Sequence, residues 1–269
     1  MSDFLKDCFQ KIGWEKDHVS FDDLPLFLKA MAYRFPFENR AVLAKENYNI
    51  TKEELWRRLV KEQHGGLCYD LNGFLYFVLR EAGFHVKLIR GTVYAGKQEE
   101  WALDGTHAAV LLSAEKGDYI VDIGFGINLA LQPIPLSGET VQSPVGSFRI
   151  KEEETEKGSH VLLMDKGEGW QIGYAFTLEE SDPGDLDDMK DMIHAHEKSP
   201  FNKSLLASKL TPNGRMVMSD RHFTIHENEG EGQKNDIAPS EFEEKLNTYF
   251  LCNVKSLRHV CKLFLMNKY

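Results

Sequence analysis

The feature that most constrains the fold of this chain is a series of short apolar segments in its middle third. Between residues 86 and 176 these segments alternate with clusters of glycine, aspartate, glutamate and lysine, a pattern typical of strands joined by tight turns. The predicted strands are residues 86–94, 107–112, 119–123, 147–150, 160–164 and 170–176. Consecutive strands with short connections favour antiparallel pairing, so this region is predicted to form an antiparallel sheet or barrel.

The first 85 residues show helical rather than strand periodicity. One helix is predicted over residues 22–31, and another begins at the capping-box sequence Thr-Lys-Glu-Glu that starts at Thr51. A third helix is predicted over residues 68–82, where apolar side chains recur at helical spacing and Gly83 can end the helix.

After residue 182 the patterns of helix and strand alternate again. The sequence predicts a helix over residues 185–198, strands at 216–218 and 222–226, and a last helix from residue 240 toward residue 250. The polar, glycine-rich residues 227–236 predict a mobile loop. Helices at both ends of a central antiparallel sheet place the chain in the α+β class.

The balance of charge narrows the range of partners. The chain has 269 residues, a formal net charge of -10 and a pI near 5.5. An acidic surface repels nucleic acid and anionic membranes, so neither is expected as the main partner. No apolar run approaches the ~18–20 residues that span a bilayer, and charges interrupt the N-terminus too often for a signal peptide. We therefore expect a cytoplasmic protein.

Neither disulfides nor a metal site are expected. The cysteines are Cys8, Cys68, Cys252 and Cys261, with irregular spacings and no CxxC pair. In the cytosol they would be reduced, and Cys252 and Cys261 lie among apolar residues, where packing is the simplest role. The closely spaced histidine pairs are His194 with His196 and His222 with His226. Neither pair has a third ligand at an obvious spacing, so no metal is predicted.

One cysteine lies where a thiol can become a nucleophile. Cys68 stands between the glycine pair Gly65–Gly66 and the start of a predicted helix. The glycines lack a Cβ and let the backbone approach a substrate closely, while the free N–H groups of the helix start stabilise a thiolate. The alternative is that Cys68 only fills the core.

A histidine and an aspartate further along the chain can complete a catalytic set. Imidazole can take the thiol proton and return it, and a carboxylate on the other ring nitrogen fixes its tautomer. His107 and Asp122 each lie on a predicted strand next to a turn, where strand pairing can bring them to one edge. Each also has a simpler interpretation, because the chain has ten histidines and a strand-end aspartate often caps a turn.

At these residues the chain resembles the arylamine N-acetyltransferases. Residues 65–72, Gly-Gly-Leu-Cys-Tyr-Asp-Leu-Asn, are similar to the cysteine motif of that family. The Phe-Pro-Phe-Glu-Asn of residues 35–39, the Thr-His pair at 106–107 and the Val-Asp-Ile-Gly-Phe-Gly of residues 121–126 match further elements in the same order. Looser similarity at residues 199–202 and in the last helix extends the resemblance over nearly the whole chain.

The resemblance implies a three-part architecture. A helical bundle over residues 1–85 would carry the cysteine, and a β-barrel over residues 86–190 would carry the histidine and the aspartate. An α/β lid with an interdomain segment would follow over residues 191–269. The bundle and barrel would form a core like that of cysteine peptidases and transglutaminases.

The resemblance also implies an activity. Cys68 would accept an acetyl group from acetyl-CoA, the co-substrate, and pass it to an arylamine or arylhydrazine by ping-pong chemistry through a thioester. His107 would act as the base and Asp122 would orient it, with no metal involved. Candidate contacts are Phe37, Phe125 and Val93 for the acceptor, and Gly105, Thr106, Gly126 and Lys203 for CoA. No obligate protein partner is evident.

Two other functions use the same sequence features. A cysteine hydrolase or a transglutaminase-like amide-forming enzyme would need the same three groups, and a binding module would need none of them. One departure from the family pattern is His64, where arginine usually precedes the glycine pair. If that arginine pairs with a buried carboxylate such as Glu38, restoring it should raise thermal stability.

Overall fold

The chain folds as a group of N-terminal helices, a large antiparallel sheet and a smaller second sheet, and the computed structural model describes residues 1–227 and 232–250. The helices are α1 (Asp3–Ile12), α2 (Leu24–Arg34), α3 (Arg40–Leu43), α4 (Lys52–Leu55), α5 (Cys68–Glu81), α6 (Asp185–Ala195) and α7 (Phe242–Phe250). The strands are β1 (Phe37–Glu38), β2 (His85–Ala95), β3 (Glu100–Trp101), β4 (His107–Ala114), β5 (Gly117–Val121), β6 (Ile134–Pro135), β7 (Val141–Ser143), β8 (Gly146–Thr155), β9 (Gly158–Asp165), β10 (Gln171–Phe176), β11 (Leu206–Thr211), β12 (Gly214–Ser219), β13 (His222–Glu227) and β14 (Gln233–Asp236).

The predicted N-terminal helices form, and local signals in the sequence explain their ends. The Thr51 hydroxyl accepts the Glu54 N–H at 3.1 Å and starts α4, which continues through a wider π-type turn over Trp56–Lys61. Helix α5 ends at Glu81, and Gly83 follows with a φ of +93°, a conformation that suits a residue without Cβ. Helix α1 is an addition to the helices that the sequence predicts.

The large sheet has nine strands, and all six strands predicted for residues 86–176 belong to it. Its order is β6-β5-β4-β2-β10-β9-β8-β7, with β3 paired to one end of β2. Every pairing is antiparallel, and the sheet is nearly closed into a barrel. One apolar cluster fills its interior, and a second packs its other face against the helices, above all α5. The α+β class is therefore confirmed.

The second sheet pairs one strand from the N-terminal region with strands from the C-terminal part of the described chain. Strand β1, from the helical N-terminal region, pairs with β11, and β12, β13 and β14 follow in order. The predicted mobile loop covers residues 227–236, of which residues 228–231 lie outside the described residues. The prediction is wrong for Gln233–Asp236, which pairs antiparallel with β13. All four residues of β14 are exposed, so this edge strand has no buried face and leaves no alternating pattern in the sequence.

Some expectations fall outside these observations. Helix α6 spans residue 190, the predicted boundary between the β-barrel and the lid. The three domain ranges stay predictions. Cys252 and Cys261 lie outside the described residues, whereas Cys8 and Cys68 are free and buried. Within residues 1–227 and 232–250, no helix is long and apolar enough to cross a membrane, and no cluster of three potential metal ligands occurs.

Candidate active site

Two glycines bring the chain into the position from which α5 starts. A Cβ on Gly65 would lie 2.3 Å from the Pro36 carbonyl oxygen, and one on Gly66 would lie 2.4 Å from the Asp70 Cβ. Real side chains essentially never approach that closely. The glycines are therefore required by the packing of the segment before Cys68 against residue 36 and the first turn of α5, which is a structural reason different from the predicted approach of a substrate.

Cys68 is the first residue of α5, as the sequence predicts. The Asp70 carboxylate accepts the Leu67 N–H at 3.1 Å and so caps this end of the helix. The Cys68 sulfur lies 3.3 Å from the Thr106 carbonyl oxygen, in the residue that precedes β4. The cysteine is 6% exposed, so the thiol lies in a cleft rather than on the surface.

The structure brings the three predicted residues together. His107 begins β4, and its Nε2 lies 2.8 Å from Oδ2 of Asp122, which directly follows β5. The Cys68 sulfur lies against the carbonyl of Thr106, the residue before His107, and the Cys68 side chain helps to raise the pKa of the imidazole. Since Nε2 faces the carboxylate, Nδ1 is the ring nitrogen available to the sulfur. Side-chain exposure is 3% for His107 and 7% for Asp122, so water scarcely screens the pair.

Four hydrogen bonds fix the Asp122 carboxylate. Oδ1 accepts from Asn72 Nδ2 at 2.8 Å and from the Gly124 N–H at 2.7 Å. Oδ2 accepts from His107 and, at 3.2 Å, from the Tyr174 hydroxyl. A carboxylate has about four acceptor sites, so these hydrogen bonds satisfy the group and hold it in one orientation.

Electrostatics favour a charged pair. Burial alone would lower the pKa of His107, but the Asp122 charge and hydrogen bonds with Asp122 and Cys68 outweigh it and raise the pKa to about 10. Burial alone would raise the pKa of Asp122, but the His107 charge and its hydrogen bonds hold that pKa below its ordinary value. At neutral pH the pair is therefore imidazolium and carboxylate.

Asn72 ties the helix of the cysteine to the strands of the other two groups. From α5 its Nδ2 also donates to the Ala108 carbonyl at 2.7 Å, and its Oδ1 accepts the Ile123 N–H at 2.9 Å. A Cβ on Gly124 would lie 2.8 Å from the Cys68 Cα, so the turn after Asp122 packs directly on the helix start. These contacts fix the positions of Cys68, His107 and Asp122 relative to one another.

A cavity of about 310 Å³ opens beside the sulfur. Most of its lining is apolar or aromatic. The lining residues include Phe37, Cys68, Val93, Leu103, Thr106, His107, Phe125, Gly126, Asn128, Ile193, Ser199, Phe201 and Leu206. None of the described lining residues is Lys, Arg, Asp or Glu. Such a site suits an uncharged, flat, apolar ligand.

The remaining predicted residues divide into two groups. Phe37, Phe125, Val93, Thr106 and Gly126 all line the cavity.

Gly105 and Lys203 do not belong to the described lining. Gly105 has a φ of +61° and donates its N–H to the Thr92 hydroxyl at 2.9 Å, beside Thr106. Lys203 is exposed and follows the short 3-10 turn Pro200–Asn202. Both therefore lie outside the wall that surrounds the sulfur.

The environment of His64 differs from the one expected for its position. Glu38 is buried and pairs with Arg40, whose Nη2 lies 2.9 Å from Glu38 Oε1. Burial and the Arg40 charge lower the pKa of His64. The carboxylate thus already has a guanidinium partner, and the surroundings of residue 64 disfavour a second positive charge.

Sequence reasoning missed four residues of the site. Asn72 and Phe201 stand in segments that were compared with a family motif, so a signal existed for both. Tyr174 is one aromatic residue in an ordinary strand pattern, and nothing in the sequence links it to Asp122. Ser199 borders the cavity at 0% exposure and belongs to the same compared segment, residues 199–202, as Phe201.

Comparisons with known proteins agree with this geometry. The chain matches the N-acetyltransferase family model over residues 20–259. It is 90% identical over 251 residues to YvcN of Bacillus subtilis strain 168, described as an uncharacterized acetyltransferase, covering 93% of this chain and 99% of that protein. It is 31% identical over 232 residues to the arylamine N-acetyltransferase of Escherichia coli K12, covering 85% of this chain and 81% of that one.

A solved structure shares the fold, and its description names a different acidic residue beside the histidine. The arylamine N-acetyltransferase (BACCR)NAT3 of Bacillus cereus superimposes with a TM-score of 0.90 at 39% identity, covering 93% of this chain and 98% of that one. That protein is described as having a unique Cys-His-Glu catalytic triad, whereas this chain has Asp122 beside its histidine.

The fold and the cysteine-centred site thus define an acetyltransferase. The chain belongs to the arylamine N-acetyltransferase family.

Proposed function

We propose that the protein transfers an acetyl group from acetyl-CoA to the nitrogen of an arylamine or arylhydrazine, through a thioester on Cys68. One observation carries the proposal. A cysteine sulfur lies beside a hydrogen-bonded pair of imidazole and carboxylate, and the sulfur and the imidazole both line an apolar cavity. The family membership of the chain supports acetyl-CoA as the donor, since the resemblance implies that co-substrate.

The first half-reaction is the acylation of Cys68. His107 already holds a proton as the imidazolium that Asp122 stabilises, so the reacting form of Cys68 is the thiolate, whose sulfur attacks the carbonyl carbon of the acetyl group. The tetrahedral intermediate then breaks its bond to the CoA sulfur, which takes a proton from the imidazolium and leaves as CoA. The free N–H groups at the start of α5 are available to hold the oxyanion.

The second half-reaction releases the acetyl group to the acceptor. Arylamines are largely neutral at pH 7, so the nitrogen lone pair can attack the thioester without prior deprotonation. His107 accepts the proton that the nitrogen loses, and Cys68 leaves as the thiol or thiolate. Asp122 keeps the imidazole in the tautomer that both steps need.

The same cavity offers places for both substrates. We assign the acceptor ring to the wall formed by Phe37 and Phe125, with Val93 behind them. For CoA, Thr106 and Gly126 lie in the lining and Gly105 lies next to Thr106, which gives backbone groups at the mouth. Lys203 is exposed, so it would have to reach the phosphates from outside the cavity.

A mass measurement tests the proposal. The protein is incubated with acetyl-CoA alone and the intact chain is weighed, then digested to locate the acetyl group. We expect one acetyl group on Cys68, which an arylamine removes faster than water does. Cys68→Ala should abolish the adduct, while Cys8→Ala, the other described cysteine, should keep it.

The alternatives give different results in the same experiment. Discharge by water as fast as by the amine would indicate the cysteine hydrolase instead. Absence of any adduct on Cys68 would refute the acetyltransferase mechanism and favour a binding module.

A further inference from the structure

One polar group in the cavity wall takes no part in the chemistry above. Ser199 is completely buried and borders the cavity. Its Oγ has no hydrogen-bond partner among the described residues. Buried side-chain oxygens nearly always have a partner, because leaving one unpaired is costly, so this hydroxyl calls for an explanation.

The local backbone does not use the hydroxyl. Ser199 precedes the 3-10 turn Pro200–Asn202, a position where a serine side chain normally accepts a backbone N–H. No such bond forms here. The backbone N–H of Ser199 instead donates to the His196 carbonyl at 3.0 Å. The hydroxyl is therefore free to serve another group.

The segment that carries Ser199 is held firmly in place. The Asn39 Nδ2 donates to the carbonyls of Phe201 at 2.7 Å and Ser204 at 2.8 Å, and its Oδ1 accepts the Leu206 N–H at 2.8 Å. Asn39 is itself completely buried. Because the surrounding backbone is fixed, the Ser199 hydroxyl is pre-positioned beside the cavity.

The neighbours of Ser199 form the aromatic side of the cavity. The rings of Phe201 and Phe37 meet edge to face with centroids 5.8 Å apart, and both line the cavity. The Thr106 hydroxyl, in contrast, already donates to the Leu103 carbonyl at 2.7 Å. Ser199 therefore borders the part of the cavity where the ring of an acceptor would pack, and its hydroxyl has no other partner among the described residues.

We propose that Ser199 donates a hydrogen bond to an oxygen atom on the ring of the acceptor, and so selects arylamines with a neutral oxygen substituent. This inference rests on the proposed function. A charged substituent does not fit the same role, since none of the described lining residues is Lys, Arg, Asp or Glu and the His107 charge is already paired with Asp122. The favoured class is alkoxy- or carbonyl-substituted arylamines over hydrocarbon-substituted arylamines of equal size.

Matched substrates test the selection. The three positional isomers of anisidine are compared with the three ethylanilines, which replace the ether oxygen by a methylene. We expect the wild-type kcat/KM to favour the ether in at least one isomer pair by about two- to tenfold, as one hydrogen bond would give. Ser199→Ala should bring that ratio to about one and leave the ethylaniline rate nearly unchanged.

Two further variants keep the result interpretable. Ser204→Ala removes an exposed hydroxyl from the same segment and should leave every ratio at its wild-type value. Ser199→Cys keeps a side chain of similar size with a weaker donor, and should lose most of the preference. Ser199→Ala should unfold at the same or a higher denaturant concentration, since it removes an unpaired buried hydroxyl.

Failure of this inference is distinguishable from failure of the proposed function. If acetyl-CoA acetylates Cys68 in Ser199→Ala but all three ether-to-hydrocarbon ratios equal those of the wild type, the role of Ser199 is refuted and the mechanism stands. A wild type without any ether preference would also refute it. If no acetyl group reaches Cys68 in the wild type, the mechanism itself is wrong.

Discussion

Two carboxyl groups with little exposed surface lie near the start of α5, and their pKa values are shifted in opposite directions. Burial raises the pKa of Asp70 to about 6, in spite of the Arg58 charge and hydrogen bonds from Tyr48 and Leu67. The Asp122 side chain is only slightly more exposed, at 7%, yet the pKa of this carboxyl lies below its ordinary value. The depth of burial therefore does not decide the direction in which the pKa of such a carboxyl shifts.

The difference lies in the donors. Asp70 accepts from the Tyr48 hydroxyl at 2.9 Å and the Leu67 N–H at 3.1 Å, both neutral groups. Asp122 accepts four hydrogen bonds, one of them from a cationic imidazole. A charged donor in direct contact offsets the lost hydration, whereas neutral donors only reduce the cost. One carboxyl thus pairs with a buried imidazolium while its counterpart caps a helix.

The largest expected effect comes from Asp122→Asn. The amide has no charge to stabilise the imidazolium and presents N–H donors toward Asn72 or Tyr174, which are donors themselves. The same change in a Ser-His-Asp triad costs about 10⁴-fold in turnover. We expect a loss of similar order in single-turnover transfer from acetyl-CoA to an arylamine.

The control for that substitution is Asp118→Asn, an exposed acid on the same strand β5. It should keep wild-type turnover. Turnover of Asp122→Asn within tenfold of the wild type would remove Asp122 from the role of orienting His107.

Asp70→Asn should change the pH dependence of stability. The folded-state pKa of about 6 lies above the unfolded value of 3.8, so the folded state binds more protons in this range. The stability that Asp70 contributes is therefore complete below pH 3.8 and is lost as the pH rises through about 6. The asparagine variant lacks this loss.

Urea unfolding between pH 4 and pH 7 measures the effect. The free energy of unfolding of Asp70→Asn minus that of the wild type should rise across this range by on the order of 3 kcal/mol. Asp22→Asn, at an exposed position, serves as the control and should give a flat difference. A flat difference for Asp70→Asn would contradict the raised pKa.

The smallest effect concerns His64→Arg. The family pattern led to the expectation that arginine here would stabilise the fold, but Arg40 already pairs with Glu38. The lowered pKa of His64 indicates that its surroundings resist positive charge. We therefore expect His64→Arg to lower the free energy of unfolding by about 1 kcal/mol. Thermal unfolding beside the exposed control His85→Arg measures it, and a higher melting temperature would restore the original expectation.

Strong local signals made much of the fold predictable. Apolar segments identified six of the nine strands of the large sheet, and helical spacing after Cys68 identified α5. Where a segment has no buried face, as in β14, the sequence carries no periodic signal and the prediction was a loop. Strand β1 is two residues long, too short for any period to show.

The site shows the same limit at the level of single residues. Cys68, His107 and Asp122 could be named because each chemical role needs a particular residue type in a recognisable motif. That Arg40 rather than residue 64 pairs with Glu38, or that Tyr174 reaches Asp122, depends on how distant segments pack. No local pattern encodes those pairings, so only the folded structure supplies them.

The Asn39 bridge has a consequence for the way the protein is made. It joins the N-terminal region to carbonyls as far as 165 residues along the chain, and the segment that carries them supplies Phe201 to the wall of the cavity beside Cys68. Ribosomes add about 5–20 residues per second, so the nascent chain holds its sulfur, imidazole and carboxylate for several seconds before that wall is synthesised. During this interval the thiol is open to small oxidants and electrophiles from a side that the finished protein closes.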